Sequence, residues 1–287
     1  RDPRLARRDD PGHEAFYLRQ AVRDSVQGQV GDALDKLAGH TVQIGDRAER
    51  LGRMARDYAE LGRGERRETV LVTGTNADRQ ALNGLVRDEL KARGELRDGR
   101  SYAVAGGRRE FAAGDKLIFL KNDRELGVKN GQTGTVKELG EGRLAVSVGR
   151  GRGRRLVEVD LARYRQVDHG YCLTAHKAQG ITADRALIHL DTQQKGVNNR
   201  NAFYVDLSRA RHEVRIYTDA RAGLAGSVAR WQRKLSTLDF RDQPPDLAAA
   251  PAGSLQTAAE RLEQAMSRPN ILDTEIFRQP NPARLVL

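Results

Sequence analysis

Two short stretches carry the residues best equipped for chemistry. TAHKAQG, residues 174–180, places a hydroxyl, an imidazole, an ammonium and a carboxamide within six residues and closes on glycine. Thr174 and His176 can hydrogen-bond phosphate oxygens, and Lys177 adds a point charge. Gln179 can orient a phosphate or a water, and Gly180 lets a backbone approach closely. A polar loop capping the next helix, with His176 in solvent, accounts for this stretch about as well. The second stretch is NAFYVDLSRARHEVRIYTD, residues 201–219. On a helix, Tyr204 to Ser208 spans one turn, and Arg209 falls at the C-terminal end, before the apolar run EVRIYTD. A guanidinium there suits bidentate phosphate contact and stabilisation of charge in a transition state. A cation that neutralises the helix C-terminus is the plain alternative, but it does not explain both stretches together. Asp206, three residues before Arg209, has two readings: a partner for that arginine, or a solvent-facing carboxylate.

These residues need elements to hold them. YCL at 171–173 and ALIHL at 186–190 flank the first stretch and read as buried strands, and EVRIYTD reads as another. Earlier in the chain, ETVLVTGTN at 68–76 is a β-branched run ending in turn residues, followed by a helical pattern closed by Gly94. Strand, polar loop and helix open an α/β unit, and such sheets bind ligands outside the carboxyl ends of their strands. Residues 14–61 read as two amphipathic helices, the first stopping at Gly39 and the second capped by Asp46. Between 101 and 168 the pattern changes to short alternating runs separated by Gly and Asn, which predicts a small antiparallel β module, expected as a barrel. Residues 240–287 hold six of the eight prolines and read as a linker or tail with one short helix near LQTAAERLEQAMS.

Composition sets bounds. The chain has 287 residues, a net charge of +11 and a pI near 10.1. The excess of base over acid favours a polyanionic partner, nucleic acid first. The Arg-rich run at 143–155 has five arginines and no acid; it reads as a phosphate-gripping hairpin or as a solvated tip. A single cysteine, Cys172, excludes an internal disulfide and a Cys-rich zinc site, and its apolar neighbours predict a buried thiol. No apolar run is long enough to span a membrane, and no signal peptide is visible; the expected location is cytoplasmic. The chain begins at Arg1 rather than Met, so a piece of a longer protein is expected.

TAHKAQG resembles motif V, and YVDLSRARHEVRIYT resembles motif VI, of superfamily 1 helicases of the RecD-like branch. LVTGTNADRQALNGLVR resembles the motif IV strand and helix of that branch, and GDKLIFLKNDRELGVKNGQTGTV its inserted SH3-like module. The resemblance covers about residues 68–219, and ITADRALIHLDT narrows it toward the helicase part of TraI/TrwC-type (MobF) conjugative relaxases. It implies an α/β fold, a RecA-like second motor domain of P-loop NTPase type over 68–100 and 169–239. An SH3-like β-barrel would be inserted at 101–168, with a helical segment at 1–67 leading in and a tail at 240–287. It implies a helicase that moves on single-stranded DNA, acting in plasmid transfer. ATP and Mg2+ would be bound mainly by a first RecA-like domain of the same protein.

By the same resemblance, Arg209 is the arginine finger and Gln179 a catalytic neighbour, with Gly180 and Arg79 near the nucleotide. Thr174, His176 and Lys177 would touch DNA, joined by Lys121, Asn122, Lys129 and Asn130 of the β module. For Arg79 a solvated helix arginine is an equal reading, and for the module residues an ordinary exposed turn. Two departures stand out. No phosphate-cradling G-x-x-x-x-G-K-[ST] occurs, so the chain alone is predicted to be inactive as an ATPase. Motif VI carries Asp206 where Ala is usual. The rival readings are a non-catalytic nucleic-acid-binding remnant and a RecD-like repair helicase or exonuclease subunit.

Overall fold

The computed structural model describes residues 11–149, 151–178 and 181–229, without the side chains of 11–13, 152 and 176. Gln179, Gly180 and the tail expected at 240–287 lie outside the described residues. The order of elements is α1 (Pro11–Gln27), α2 (Val30–Lys36), β1 (Thr41–Gln43), α3 (Arg47–Glu60), α4 (Arg63–Arg67), β2 (Thr69–Thr73) and α5 (Asn76–Ala92). Then come β3 (Arg100–Val104), β4 (Gly107–Phe111), β5 (Lys116–Phe119), β6 (Thr133–Leu139), β7 (Arg143–Val148), β8 (Arg155–Asp160) and β9 (Val167–His169). The chain continues through β10 (Cys172–Thr174), α6 (Ala175–Ala178), β11 (Ala183–Leu190), α7 (Arg200–Leu207), β12 (Ala210–Thr218) and α8 (Arg221–Val228).

A parallel sheet in the order β1-β12-β11-β2-β10 forms the α/β body. All five residues of β2 are buried, as expected of a strand covered on both faces. Side chains alternate across it. Val70, Val72, Ile188 and Ile216 pack toward Leu18, Leu37, Phe203, Leu207 and Leu224 of the helices on one face. Leu71, Leu187 and Tyr217 pack toward Leu51, Met54, Tyr58, Leu82 and Val86 of α3 and α5 on the other. Burial of each such side chain contributes about 1.5–3 kcal/mol. Cys172 is fully buried in this second layer, as its neighbours predict.

Three local readings change. The helix expected from 15 to 39 breaks at Gly28, whose φ of +86° is a left-handed conformation that ends α1. The stretch before residue 68, expected as helices leading into the α/β body, also supplies β1, which pairs with β12 at the sheet edge. Three residues are too few to show a strand period, so only the pairing reveals it. The helix expected to run to Arg211 ends at Leu207, because β12 already begins at Ala210. Asp46 does cap α3, accepting from the Glu49 N–H at 2.7 Å.

Between α5 and β10 lies the β module. Its five strands β8-β7-β6-β5-β9 are antiparallel throughout, and β3 and β4 form a separate hairpin. The module has its own core, including Phe111, Phe119, Val136, Val146 and Val159. Buried polar contacts fasten it to the body. Arg87 of α5 grips Asp115 through Nε at 2.9 Å and Nη2 at 3.1 Å, and the Tyr171 hydroxyl donates to the same carboxylate at 2.8 Å. Lys116 Nζ donates to the Arg66 and Thr69 carbonyls.

Candidate functional site

The carboxyl end of β10 and the junction of α7 with the amino end of β12 carry the candidate residues. Thr174 ends β10, in register with Thr73 at the end of β2. The chain then turns into α6, which holds Lys177; the His176 side chain is outside the described residues. α7 starts from an Asn199 cap, whose side chain accepts the Ala202 N–H at 2.9 Å, and this helix delivers Arg209 to the strand entry.

Arg209 is held by neutral acceptors. Nε donates to the Val205 carbonyl at 2.8 Å and Nη2 to Ser208 Oγ at 2.8 Å. Nη1 donates to the carbonyls of Ile181 at 2.9 Å and Ala178 at 3.2 Å, the two residues that flank Gln179 and Gly180. The guanidinium therefore ties the α7–β12 junction to the TAHKAQG loop. It makes no ion pair among the described residues, and burial lowers its pKa. A partly buried cation without a counter-ion is costly unless a ligand supplies the anion.

Asp206 does not supply it. Its side chain is 2% exposed, and Oδ1 has no hydrogen-bond partner. Burial pushes its pKa up to about 8, against the lowering pull of Arg209. Both readings of Asp206 are corrected: it neither faces solvent nor pairs with Arg209, because α7 turns it into the protein interior.

Arg79, near the start of α5, is buried rather than solvated. Its Nη1 donates to Asp168 of β9 at 3.1 Å, and Arg109 of β4 donates to the other oxygen at 3.1 Å. Burial alone would raise the Asp168 pKa, but the His169 N–H and the two arginines bring it below the usual range. Lys177 lies in the field of the same pair: burial and the Arg79 cation lower its pKa, while Asp168 opposes them. Asp168 is thus a member of this cluster that sequence reasoning missed, since nothing local ties it to a residue 89 positions earlier.

On the β module, Lys121, Asn122, Lys129 and Asn130 are all exposed. Their loop is nonetheless shaped: Asn122 Oδ1 accepts the Asn130 N–H at 2.7 Å, and the Tyr164 hydroxyl donates to the Lys121 carbonyl at 2.6 Å. The Lys121 and Lys129 ammonium groups have no partner among the described residues. A Cβ on Gly131 would sit 3.7 Å from the Lys177 carbonyl, so this loop and α6 are neighbours. The fold thereby gathers Lys177, Arg79 and the module loop, and Arg209 reaches the residues on either side of Gln179 and Gly180 through Ala178 and Ile181.

A second polar group lies at the same end of the sheet, and sequence reasoning missed it too. Arg50 is fully buried and donates to His189 Nε2 at 3.1 Å and Asp191 Oδ2 at 2.5 Å. Asp78, beside Arg79, accepts from Arg47, Thr75 and Gln194. Burial lowers the His189 pKa to about 4, so the ring is neutral and serves as an acceptor for Arg50. Every member has a partner, which marks a framework that fixes the start of α5. Among the described residues no group of three or more His, Cys, Asp or Glu is placed to hold a metal ion, and no helix is long and apolar enough to cross a membrane.

Residues 169–217, from β9 through most of β12, match the family described as UvrD-like helicase C-terminal domain. The chain is 34% identical over 232 residues to the conjugal transfer protein TraA of Rhizobium radiobacter, covering 78% of this chain and 20% of that protein. It is 29% identical over 177 residues to the multifunctional conjugation protein TraI of Escherichia coli, covering 60% and 10%. The RecBCD enzyme subunit RecD of Mycobacterium tuberculosis is 29% identical over 131 residues, covering 46% and 22%. A solved structure of Bacteroides Pif1 bound to ssDNA is similar at a TM-score of 0.47 and 17% identity, covering 74% of this chain and 50% of that one. The chain spans about a fifth of the length of the TraA proteins it matches.

Proposed function

From a chain that carries a UvrD-like helicase C-terminal domain and is homologous to TraA, TraI and RecD, we infer the second motor half of an ATP-dependent DNA helicase. Its setting is a conjugative relaxase-helicase that moves on single-stranded DNA during plasmid transfer. The observation that carries this reading is Arg209: a partly buried guanidinium with no carboxylate partner, fixed to both flanks of the TAHKAQG turn. Such a group fits an incoming phosphate. ATP with Mg2+, bound mainly by a first RecA-like domain of the same protein, would supply the γ-phosphoryl group. Arg209 would neutralise charge developing on that group, a role worth about 10³–10⁵ in rate for arginine fingers. Gln179 and Gly180 stand between the Arg209 acceptors in sequence and belong near the same phosphate.

Thr174, His176 and Lys177 are assigned to the DNA backbone, with Lys121, Asn122, Lys129 and Asn130 on the adjoining loop of residues 101–168, an SH3-like module in this reading. Arg79 is assigned near the nucleotide, where its tie to Asp168 would link α5 to the module. The body at 68–100 and 169–239 is the RecA-like motor domain. The test is ATP turnover by a protein containing both motor halves. Arg209→Ala should remove turnover and leave the Kd for single-stranded DNA within about a factor of two. Loss of both would make Arg209 a structural or DNA-binding residue. The isolated chain should show no turnover, and robust hydrolysis by it would overturn the assignment of the phosphate cradle to another domain.

A further inference from the structure

Away from the carboxyl ends of the strands, a crevice of about 290 Å³ opens between the α4–β2 corner and the outer face of β6 and β7. β2 is five residues long at roughly 3.3 Å each, so Arg67 and Glu68 at its amino end lie about 16 Å from the Thr73–Thr174 end. The walls carry Arg67, Lys116, Lys137 and Arg154 against one carboxylate, Glu68. Hydroxyls line it as well: Thr133 and Thr135 face outward on β6, where the alternate residues Gly134 and Val136 are buried, and Ser147 faces it from β7. Gly149, after β7, has φ +82° and a Cβ there would meet the Gly153 carbonyl oxygen at 2.4 Å, so the position admits no side chain. Lys116 joins the two walls through its bonds to Arg66 and Thr69.

Arg67, Lys137 and Arg154 have no ion pair or side-chain hydrogen bond among the described residues, and all three are exposed. Cations that serve the fold in this protein look different: Arg50, Arg66 and Arg87 are buried and paired. The crevice has no aromatic or large apolar lining residue, so it offers no face on which a base could stack. Unpaired cations with hydroxyl donors suit phosphate oxygens.

We propose that this crevice is a second DNA contact that holds the phosphodiester backbone of one strand, independent of sequence and separate from the surface around Lys177. The β5–β6 connection that carries Lys129 and Asn130 runs directly into Thr133 on the crevice wall, so a strand leaving that loop has a charged path to follow. The proposal rests on the chain being a DNA-binding protein, and it requires nothing of Arg209.

The test is fluorescence anisotropy on the 287-residue chain with labelled single-stranded DNA of mixed sequence across a salt series. Arg67→Ala/Lys137→Ala/Arg154→Ala should weaken binding at least ten-fold at low salt. Three lost contacts at roughly 0.7 each should also flatten the slope of log Kd against log salt by about 2. The charge-conserving variant Arg67→Lys/Lys137→Arg/Arg154→Lys should bind like the wild type. On an oligonucleotide with an uncharged methylphosphonate backbone, wild type and triple alanine variant should bind alike. Unchanged affinity and slope in the alanine variant would overturn the site, as would failure of the charge-conserving variant or a difference that persists on the uncharged backbone. If Lys121→Ala/Lys129→Ala binds normally while the crevice variant does not, the DNA surface proposed around Lys177 fails and the crevice stands.

Discussion

The α7–β12 junction and the β5–β6 loop both carry cations, yet they treat them in opposite ways. Arg209 is partly buried, its guanidinium anchored to Val205, Ser208, Ala178 and Ile181. Lys121 and Lys129 stand in solvent on a loop whose backbone is tied down while their ammonium groups are not. A buried, multiply bonded cation fixes geometry and resists salt. An exposed one contributes attraction that counter-ions screen. In the proposed function this difference divides the work: Arg209 would be placed at one reacting group, and the lysines would hold a polyanion that must slide.

The largest effect should come from changing the shape of the Arg209 head while keeping its charge. Arg209→Lys should lower ATP turnover of the two-domain protein by two orders of magnitude or more, because one ammonium cannot replace four directed donors. Steady-state hydrolysis at saturating DNA measures it; near-normal turnover would show that charge alone suffices.

Next is the joint between the regions. Asp115 is fully buried and accepts from Arg87, Tyr171 and the Ala112 N–H. Asp115→Ala leaves Arg87 only the longer contact to Glu110 at 3.4 Å and removes the acceptor of Tyr171, and should cost about 3–5 kcal/mol, read as a lower urea midpoint. A loss under about 1 kcal/mol would mean that the β module and the α/β body are less tightly joined than described.

Asp206 gives a smaller, pH-dependent effect. Its folded pKa of about 8 lies above the usual carboxyl value, so between about pH 4 and pH 8 the folded state binds the extra proton and stability falls as pH rises. Asp206→Ala should therefore stabilise the fold most at pH 8 and above, by on the order of 2–4 kcal/mol read from urea midpoints, and least near pH 4. An advantage that grows toward acid would reverse the sign and remove the buried neutral carboxyl from the account. His189 acts oppositely: its lowered pKa costs stability as pH falls from about 6.5 to 4.

The smallest effect belongs to the exposed loop. Lys129→Ala should weaken single-stranded DNA binding by less than ten-fold and reduce the salt slope by about 0.7, with turnover at saturating DNA unchanged. A fall in saturated turnover would erase the contrast with Arg209.

Much of this arrangement is legible in the sequence because it depends on local pattern. The β-branched run at 69–73 and the apolar runs around Cys172 and Leu187 read as buried strands, and they are. The alternating runs after residue 100 read as antiparallel strands for the same reason. TAHKAQG and the Arg209 segment stand out by residue type, and the Arg209 side chain joins them through the Ala178 and Ile181 carbonyls. What stayed hidden depends on distance along the chain. β1 is a strand only because β12 lies beside it. Arg79 resembles a solvated helix residue until β9 brings Asp168 to it, and Arg50 is polar in every sequence scale yet fully buried against His189 and Asp191. Asp206 shows the limit most clearly, since a carboxylate three residues before an arginine suggests an ion pair or a solvent-facing group, and the orientation of α7 forbids both.

The central claim is a division between catalysis at Arg209 and DNA binding at the exposed lysines. It is tested most directly by measuring ATP turnover at saturating DNA and single-stranded DNA affinity, in one buffer, for Arg209→Ala and Lys121→Ala/Lys129→Ala of the two-domain protein. The account predicts that the arginine variant loses turnover and keeps affinity, while the lysine variant loses affinity and keeps turnover. Variants that lose both properties in parallel would contradict it.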